Sequence, residues 1–199
     1  MFSKKSIFSY IAPIYNLFYK SQKRSFTSAL EKSKELLDID EFETVIDIGC
    51  GTGALADVLR EKGLKVTGID REQIMIDIAN DRLGNKAYCK QADLIKGLPF
   101  NDSSFDVAIT SYVAHGFEKE GREVLFSEMK RVATDLVILH DFNKTRSIIV
   151  TILEILERSD YFNFIYTIES EMKNFFGNVS TVQVGSRANW YVSYLDRLE

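Results

Sequence analysis

Between residues 44 and 142, short apolar runs alternate with stretches whose apolar residues recur every three or four positions. That alternation is the pattern of parallel strands joined by helices. Thr44–Ile48 predicts a strand closed by glycines, and Ala54–Lys62 a helix with Leu55, Val58 and Leu59 on one face. Lys65–Ile69 predicts a second strand, Glu72–Asp81 a helix carrying Ile74, Met75 and Ile78, and Lys86–Lys90 a third strand. Val107–Thr110 and Leu136–Leu139 are almost wholly apolar, as strands covered on both faces should be. Leu125, Met129 and Val132 between them mark an amphipathic helix, and Thr145–Arg158 repeats the spacing through Ile148, Ile152, Ile155 and Leu156. In the tail, Val182 and Val184 alternate with polar residues, GSRAN makes a turn, and WYVSYL follows, which predicts an antiparallel pair at one edge. The expectation is a seven-stranded α/β sheet, its first five strands parallel, with helices on both faces. Residues 1–40 read as helical, with Pro13 breaking or beginning a helix.

At 199 residues the chain has the length of one domain. Lys and Arg number 25 against 29 Asp and Glu, and this weakly acidic balance argues against a dedicated duplex-DNA binder. Cys50 and Cys89 make no disulfide framework and no C-x-x-C metal spacing, which points to a reducing, cytoplasmic setting. No apolar run reaches the roughly 20 residues that span a bilayer. Lys4 and Lys5 before IFSYIAPIYNLF faintly resemble a signal peptide, but Pro13 and Asn16 interrupt the run and KSQKR follows it, so the segment reads as mature protein. The first 34 residues set Lys4, Lys5, Lys20, Lys23, Arg24, Lys32 and Lys34 against Glu31 alone. With aromatics interleaved, such a run can touch RNA or an anionic membrane surface, although a solvated helix face is its commoner meaning.

The sharpest motif is Val45-Ile46-Asp47-Ile48-Gly49-Cys50-Gly51-Thr52-Gly53. An acid ends a strand, glycines follow at alternate positions, and a helix opens with free N–H groups. Read loosely, Gly49-x-Gly51-x-x-Ala54 also fits a dinucleotide fingerprint, with Asp70 where a ribose-binding acid belongs. Three features separate the two readings: Asp47 lies inside the motif, where it can face a cation; Ala92-Asp93-Leu94 follows the third strand; and Leu98-Pro99-Phe100 leads through Phe105-Asp106 into the fourth.

Together these residues resemble the class I S-adenosylmethionine (SAM)-dependent methyltransferases, in particular the ubiquinone/menaquinone-biosynthesis and type-11 group. The resemblance covers about residues 44–142 and implies a Rossmann-like sandwich in one domain. It divides that domain into a helical lid (1–40), a cofactor core (44–142) and C-terminal helices and edge strands (143–199). It implies that Asp47, Gly49, Cys50, Gly51 and Gly53 hold the methionine part of SAM and that Asp70, with Arg71 beside it, takes the ribose. Asp93 and Leu94 would contact adenine, and Thr110, Ser111 and Tyr112 would line cofactor and substrate. Cys50 is most simply a small packing residue within that loop. One departure stands out: the family's proline-glycine-glycine turn into the fifth strand is replaced by Ala133-Thr134-Asp135.

For the acceptor, His115 and His140 fall near strand ends, where a neutral imidazole can take a proton from a phenol or enol. Each can equally cap a strand. Tyr10, Tyr15 and Tyr19 resemble the family's aromatic lid, Tyr15 being a candidate catalytic group and Tyr10, Tyr19, Tyr112 and His140 candidate substrate-lining residues. A second aromatic group, Tyr161, Phe162, Phe164 and Tyr166, either covers the substrate or packs in the core. Thr110-Ser111-Tyr112-Val113 stands where amino-group methylation of adenine or glutamine usually has D/N-P-P-Y/F, and no Pro-Cys pair supports cytosine chemistry. Asp141 and Asn143 alone make no octahedral metal site. The expected activity is methyl transfer from SAM to a small, hydrophobic or aromatic acceptor by in-line displacement, leaving S-adenosylhomocysteine, in a monomer or homodimer. An RNA methyltransferase, a non-catalytic SAM-binding protein and, most weakly, a nicotinamide dehydrogenase are the alternatives.

Overall fold

The computed structural model describes residues 7–84, 87–145 and 160–195, with the side chains of 7–17 left aside. Seven strands form one sheet in the order β3-β2-β1-β4-β5-β7-β6. They are β1 (Thr44–Ile48), β2 (Lys65–Asp70), β3 (Tyr88–Gln91), β4 (Phe105–Ser111), β5 (Ala133–Phe142), β6 (Ser180–Gln183) and β7 (Ala188–Tyr194). β1 to β5 run parallel, and β7 lies antiparallel between β5 and β6. The helices are α1 (Ile7–Ser33), α2 (Ala54–Glu61), α3 (Gln73–Leu83), α4 (Lys119–Val132) and α5 (Tyr161–Phe176).

Side chains alternate across each strand, so a single run supplies two cores. Val45, Val66, Val107, Ile109, Leu136, Ile138 and Trp190 face α1, α2 and α3. Their neighbours Ile46, Ile69, Ala108, Val137, Leu139 and Tyr191 face α4 and α5. Leu125, Met129 and Val132 of α4 and Phe164, Ile168 and Met172 of α5 close that second side, all fully buried. Each such Leu, Phe or Met stabilises the fold by about 1.5–3 kcal/mol through burial.

The structure corrects several expectations. α1 runs through Pro13, which lies in its second turn and forfeits one backbone hydrogen bond without ending the helix. β3 begins at Tyr88, not residue 86, and β5 begins at Ala133, directly after α4. Ala133-Thr134-Asp135 is therefore strand and not turn, and a register shift between Phe105 and Val107 in the β4–β5 ladder absorbs the missing loop. The aromatic group from Tyr161 opens helix α5. The helix expected over Thr145–Arg158 lies outside the described residues, apart from Thr145.

Two polar ties fix helices that flank the site. On α1, the Tyr19 hydroxyl and Lys23 Nζ donate to Asp57 of α2 at 2.9 and 2.5 Å. On α4, Arg122 is 1% exposed and donates to both oxygens of Glu171 on α5, at 2.7 and 2.8 Å. It also donates to Asp160 at 2.8 Å and to the Phe117 carbonyl at 2.5 Å.

Candidate functional site

The chain enters the sheet at β1, builds outward to β3, then returns to β4 on the other side. The carboxyl ends of β1 and β4 thus flank a topological switch point, the place where open α/β sheets bind ligands. The glycine loop lies there. Gly49 and Cys50 both donate their N–H to the Ile69 carbonyl, at 2.8 and 2.9 Å, which turns the loop back over β2.

The three glycines do different work. All have left-handed backbone, at φ +78, +52 and +80° for Gly49, Gly51 and Gly53. A methyl group at Gly49 would sit 2.3 Å from Val113 Cγ2, and one at Gly53 would meet Leu83 at 2.9 Å. These two positions are small because protein fills the space. Gly51 has nothing within 4 Å, so its open side is where a ligand can approach the backbone.

Asp47 is 1% exposed, and neither carboxylate oxygen has a hydrogen-bond partner. Burial pushes its pKa well above the usual carboxylate range, with Cys89 and Asp70 adding to the rise. A buried carboxyl without partners is costly unless something satisfies it, and a bound ammonium group is the natural complement. Asp70 accepts the Gly51 N–H on Oδ2 and the Glu72 N–H on Oδ1, both at 2.9 Å. Its two oxygens offer about four lone-pair positions, so capacity for two hydroxyls is left. Burial raises Asp70 as well, against the pull of those two N–H groups. Arg71 is mostly exposed beside Glu72, and its carbonyl accepts from Gln91 Nε2 at 2.9 Å. Asp93 caps the short turn Leu94–Lys96 through the Ile95 N–H, with Leu94 buried beneath it.

At the ends of β4 and β5 the structure separates residues that look alike in sequence. Thr110 is fully buried, and its hydroxyl donates to the Ile48 carbonyl at 2.7 Å, so its side chain stitches β4 to β1. Ser111 Oγ lies 3.3 Å from His140 Nδ1. His140 was expected to line substrate; it is instead a core residue, 1% exposed and packed against Phe26, Tyr112 and Trp190. Burial lowers it to about 4, despite Asp141 next to it, so it is neutral at physiological pH. Tyr112 is 39% exposed at φ +55°, its N–H donating to the His140 carbonyl and its ring resting on His140 and Phe142. A bulky residue held in that conformation is strained, and such strain concentrates at functional sites.

His115 is held by Asp141, which sequence reasoning passed over as a poor metal ligand. Asp141 is fully buried; Oδ1 sits 2.8 Å from His115 Nδ1, and Oδ2 accepts the His115 N–H at 3.3 Å. The signal was available, since Asp141 lies at the end of β5 and His115 follows the end of its neighbour β4 by four residues. Only the β4–β5 register brings them together. Tyr19 does not join this group: its hydroxyl is on Asp57 and its ring lies under the Arg82 guanidinium, 3.9 Å from the centroid. It bridges helices rather than lining strand ends. The side chains of Tyr10 and Tyr15 lie outside the described residues. Among the described residues no group of three His, Cys, Asp or Glu is gathered to hold a metal, and no helix is long and apolar enough to cross a membrane.

Comparison with known proteins gives this geometry a family. Residues 45–135 match a family described as a methyltransferase domain. A methyltransferase of Staphylococcus carnosus is 24% identical over 88% of this chain and 86% of its own length. A probable 18S rRNA (guanine-N(7))-methyltransferase of Dictyostelium discoideum is 38% identical over 42% of this chain, but only 30% of its own length is covered. The chain thus matches about a third of the length of the first curated relatives. Among solved structures, magnesium protoporphyrin IX methyltransferase from Synechocystis with bound SAM superposes at a TM-score of 0.64, with 17% identity, over 87% of this chain and 79% of that one. That likeness is one of fold. Residues 45–135 are thus a methyltransferase domain, of the class I SAM-dependent kind to which the glycine loop and the switch point belong.

Proposed function

We propose that this protein moves the methyl group of SAM to a small hydrophobic or aromatic acceptor by direct displacement. The observation that supports this acceptor class is the aromatic wall at the ends of β4 and β5. Tyr112 rests on Phe142, Phe142 meets His115 at 4.8 Å and Tyr161 at 5.2 Å, and Phe162 continues from Tyr161 at 5.5 Å. A cavity of about 230 Å³ opens between the chain leaving β5, the β6–β7 pair and α5, lined by Asn143, Tyr166, Gln183, Asn189 and Tyr191 among others. SAM supplies an electrophilic methyl on a sulfonium; the chain supplies position, which carries much of the rate in such displacements. In this reading Asp47 meets the amino group of the methionine part, the open face of Gly51 runs beneath it, and Asp70 takes the ribose hydroxyls. Asp93 and Leu94 border the adenine. His115, oriented by Asp141, takes the proton of a phenol or enol acceptor.

RNA is the second reading, favoured by the rRNA methyltransferase relative. The basic N-terminal run offers it little support, because much of it is engaged within the chain. Lys23 pairs with Asp57 and Glu61, Lys32 donates to the Val184 carbonyl, and Lys34 lies 3.7 Å from Asp38. Incubation with methyl-labelled SAM, offered phenols and quinols in one arm and total RNA in the other, decides between them. Label on the small acceptors is the expected result. Label confined to RNA, with binding that falls steeply as salt rises, would sink the small-molecule reading.

Asp47 gives a test of the cofactor assignment that needs no acceptor. Asp47→Asn removes a charge-assisted contact, so SAM should bind roughly 10- to 100-fold more weakly, for a contact of about 1.5–3 kcal/mol. The free protein should melt at a higher temperature. The native chain holds the Asp47 proton to higher pH than the unfolded chain does, so it loses stability as pH rises through that interval. Asn is spared the loss. Titration calorimetry and thermal scans at pH 7.5 read both effects, and unchanged SAM affinity would remove Asp47 from the site.

A further inference from the structure

Cys50 and Cys89 are the two cysteines of the chain, 39 positions apart in sequence and on different elements. Cys50 sits between Gly49 and Gly51 in the cofactor loop, and Cys89 lies in β3 opposite Gly68 of β2. A methyl group at Gly68 would come 2.8 Å from Cys89 Sγ and 2.9 Å from Cys50 Sγ. The two sulfurs therefore share the space a side chain at position 68 would fill. Both are free thiols and both are buried. Solvent nevertheless comes close, because the next residue, Gly51, has an open side.

We propose that Cys50 and Cys89 form an oxidative modification site, closing to a disulfide when the protein meets a peroxide, and that this bond weakens SAM binding. The Cys50 side chain and the Gly68 backbone beside it lower the Cys89 thiol, whereas Cys89, burial and the nearby Asp47 carboxyl push the Cys50 thiol up. Cys89 is therefore the attacking sulfur. Its thiolate, formed when the Cys89 thiol gives up its proton, breaks the peroxide O–O bond, forming a sulfenic acid and releasing hydroxide, which takes up that proton and leaves as water. The Cys50 sulfur then attacks the sulfenic sulfur; the S–O bond breaks, and the departing hydroxide takes the Cys50 proton as a second water. Two thiols are oxidised by two electrons and one peroxide is reduced to two waters, a step that thiol reductants reverse.

The link to SAM is mechanical. Cys50 N–H is held on the Ile69 carbonyl, and the adjoining Gly51 N–H holds Asp70 at 2.9 Å. A sulfur–sulfur bond of about 2.05 Å draws Cys50 toward β3 and disturbs both contacts at the face where a ligand approaches.

The test uses the whole protein titrated with hydrogen peroxide, followed by intact-mass measurement, thiol counting after unfolding, and SAM calorimetry. The expected result is a monomer lighter by about 2 Da with no free thiols, binding SAM at least tenfold more weakly, and restored by dithiothreitol. Cys89→Ser and, as a second variant, Cys89→Ala should each keep SAM affinity under peroxide. Oxygen additions on one cysteine without loss of two hydrogens, a disulfide-linked dimer, or thiols that survive peroxide would overturn the site. An intramolecular disulfide that leaves SAM affinity unchanged would overturn the coupling. None of these outcomes depends on which acceptor the enzyme uses.

Discussion

Gly49→Ala should cost about 3 kcal/mol of stability and abolish measurable SAM binding, through two separable effects. An alanine forced into left-handed backbone at φ +78° costs about 1–2 kcal/mol. Its methyl would also land 2.3 Å from Val113 Cγ2, and overpacking of that kind costs about 1–3 kcal/mol. Adding Val113→Ala removes the clash but not the backbone strain, so the double variant should recover about half of the lost stability in urea unfolding. Gly51→Ala is the informative contrast. It meets no protein atom within 4 Å, so it should fold with only the backbone penalty and still lose SAM affinity, because the methyl occupies the open face. If Gly49→Ala and Gly51→Ala were equally stable, the packing of Val113 against the loop would not be what makes Gly49 necessary.

The second large effect is expected at Arg122. Replacing it with Met keeps much of the volume but leaves Asp160 and Glu171 without their cation, which should cost about 3–5 kcal/mol at pH 7. Adding Glu171→Gln and Asp160→Asn should return most of that loss, since neutral groups tolerate the site. The pH dependence has a definite sign. Burial alone would raise Glu171, but the Arg122 and Thr167 hydrogen bonds outweigh it and hold it below its ordinary value. Its contribution is therefore complete above the unfolded carboxylate range and is lost as pH falls through its native value. The gap between wild type and Arg122→Met should accordingly narrow on acidification, read as converging urea midpoints between pH 7 and 4. Because Arg122 ties α4 to α5, which carries Tyr161 of the aromatic wall, the variant should lose acceptor methylation while a folded fraction still binds SAM.

How much of this could be read from the chain alone follows from the range of the forces involved. The strands and the helices between them were legible because burial on both faces leaves continuous apolar runs, and helix faces leave a 3.6-residue repeat; Val107–Thr110 and Leu125-Met129-Val132 needed no partner to be recognised. The glycine loop was legible because alternate glycines after a strand, with an acid inside, are a local demand of backbone and ligand together. Tertiary structure alone decided which glycine is open and which are packed, since Val113 and Leu83 come from distant segments. It decided that Thr110 and His140 belong to the core while Tyr112 stands exposed beside them, because Tyr112 lies just past the end of β4 at φ +55°, where the chain has left the strand's alternation. The pairing of His115 with Asp141, and of Cys50 with Cys89, depends on parallel register between strands far apart in sequence, and no local pattern encodes register across a crossover. The sequence by itself determined the sheet, the loop and the kind of cofactor; the packed sheet determined which side chains near that loop have a ligand-facing side, because burial and register are properties of the assembled strands.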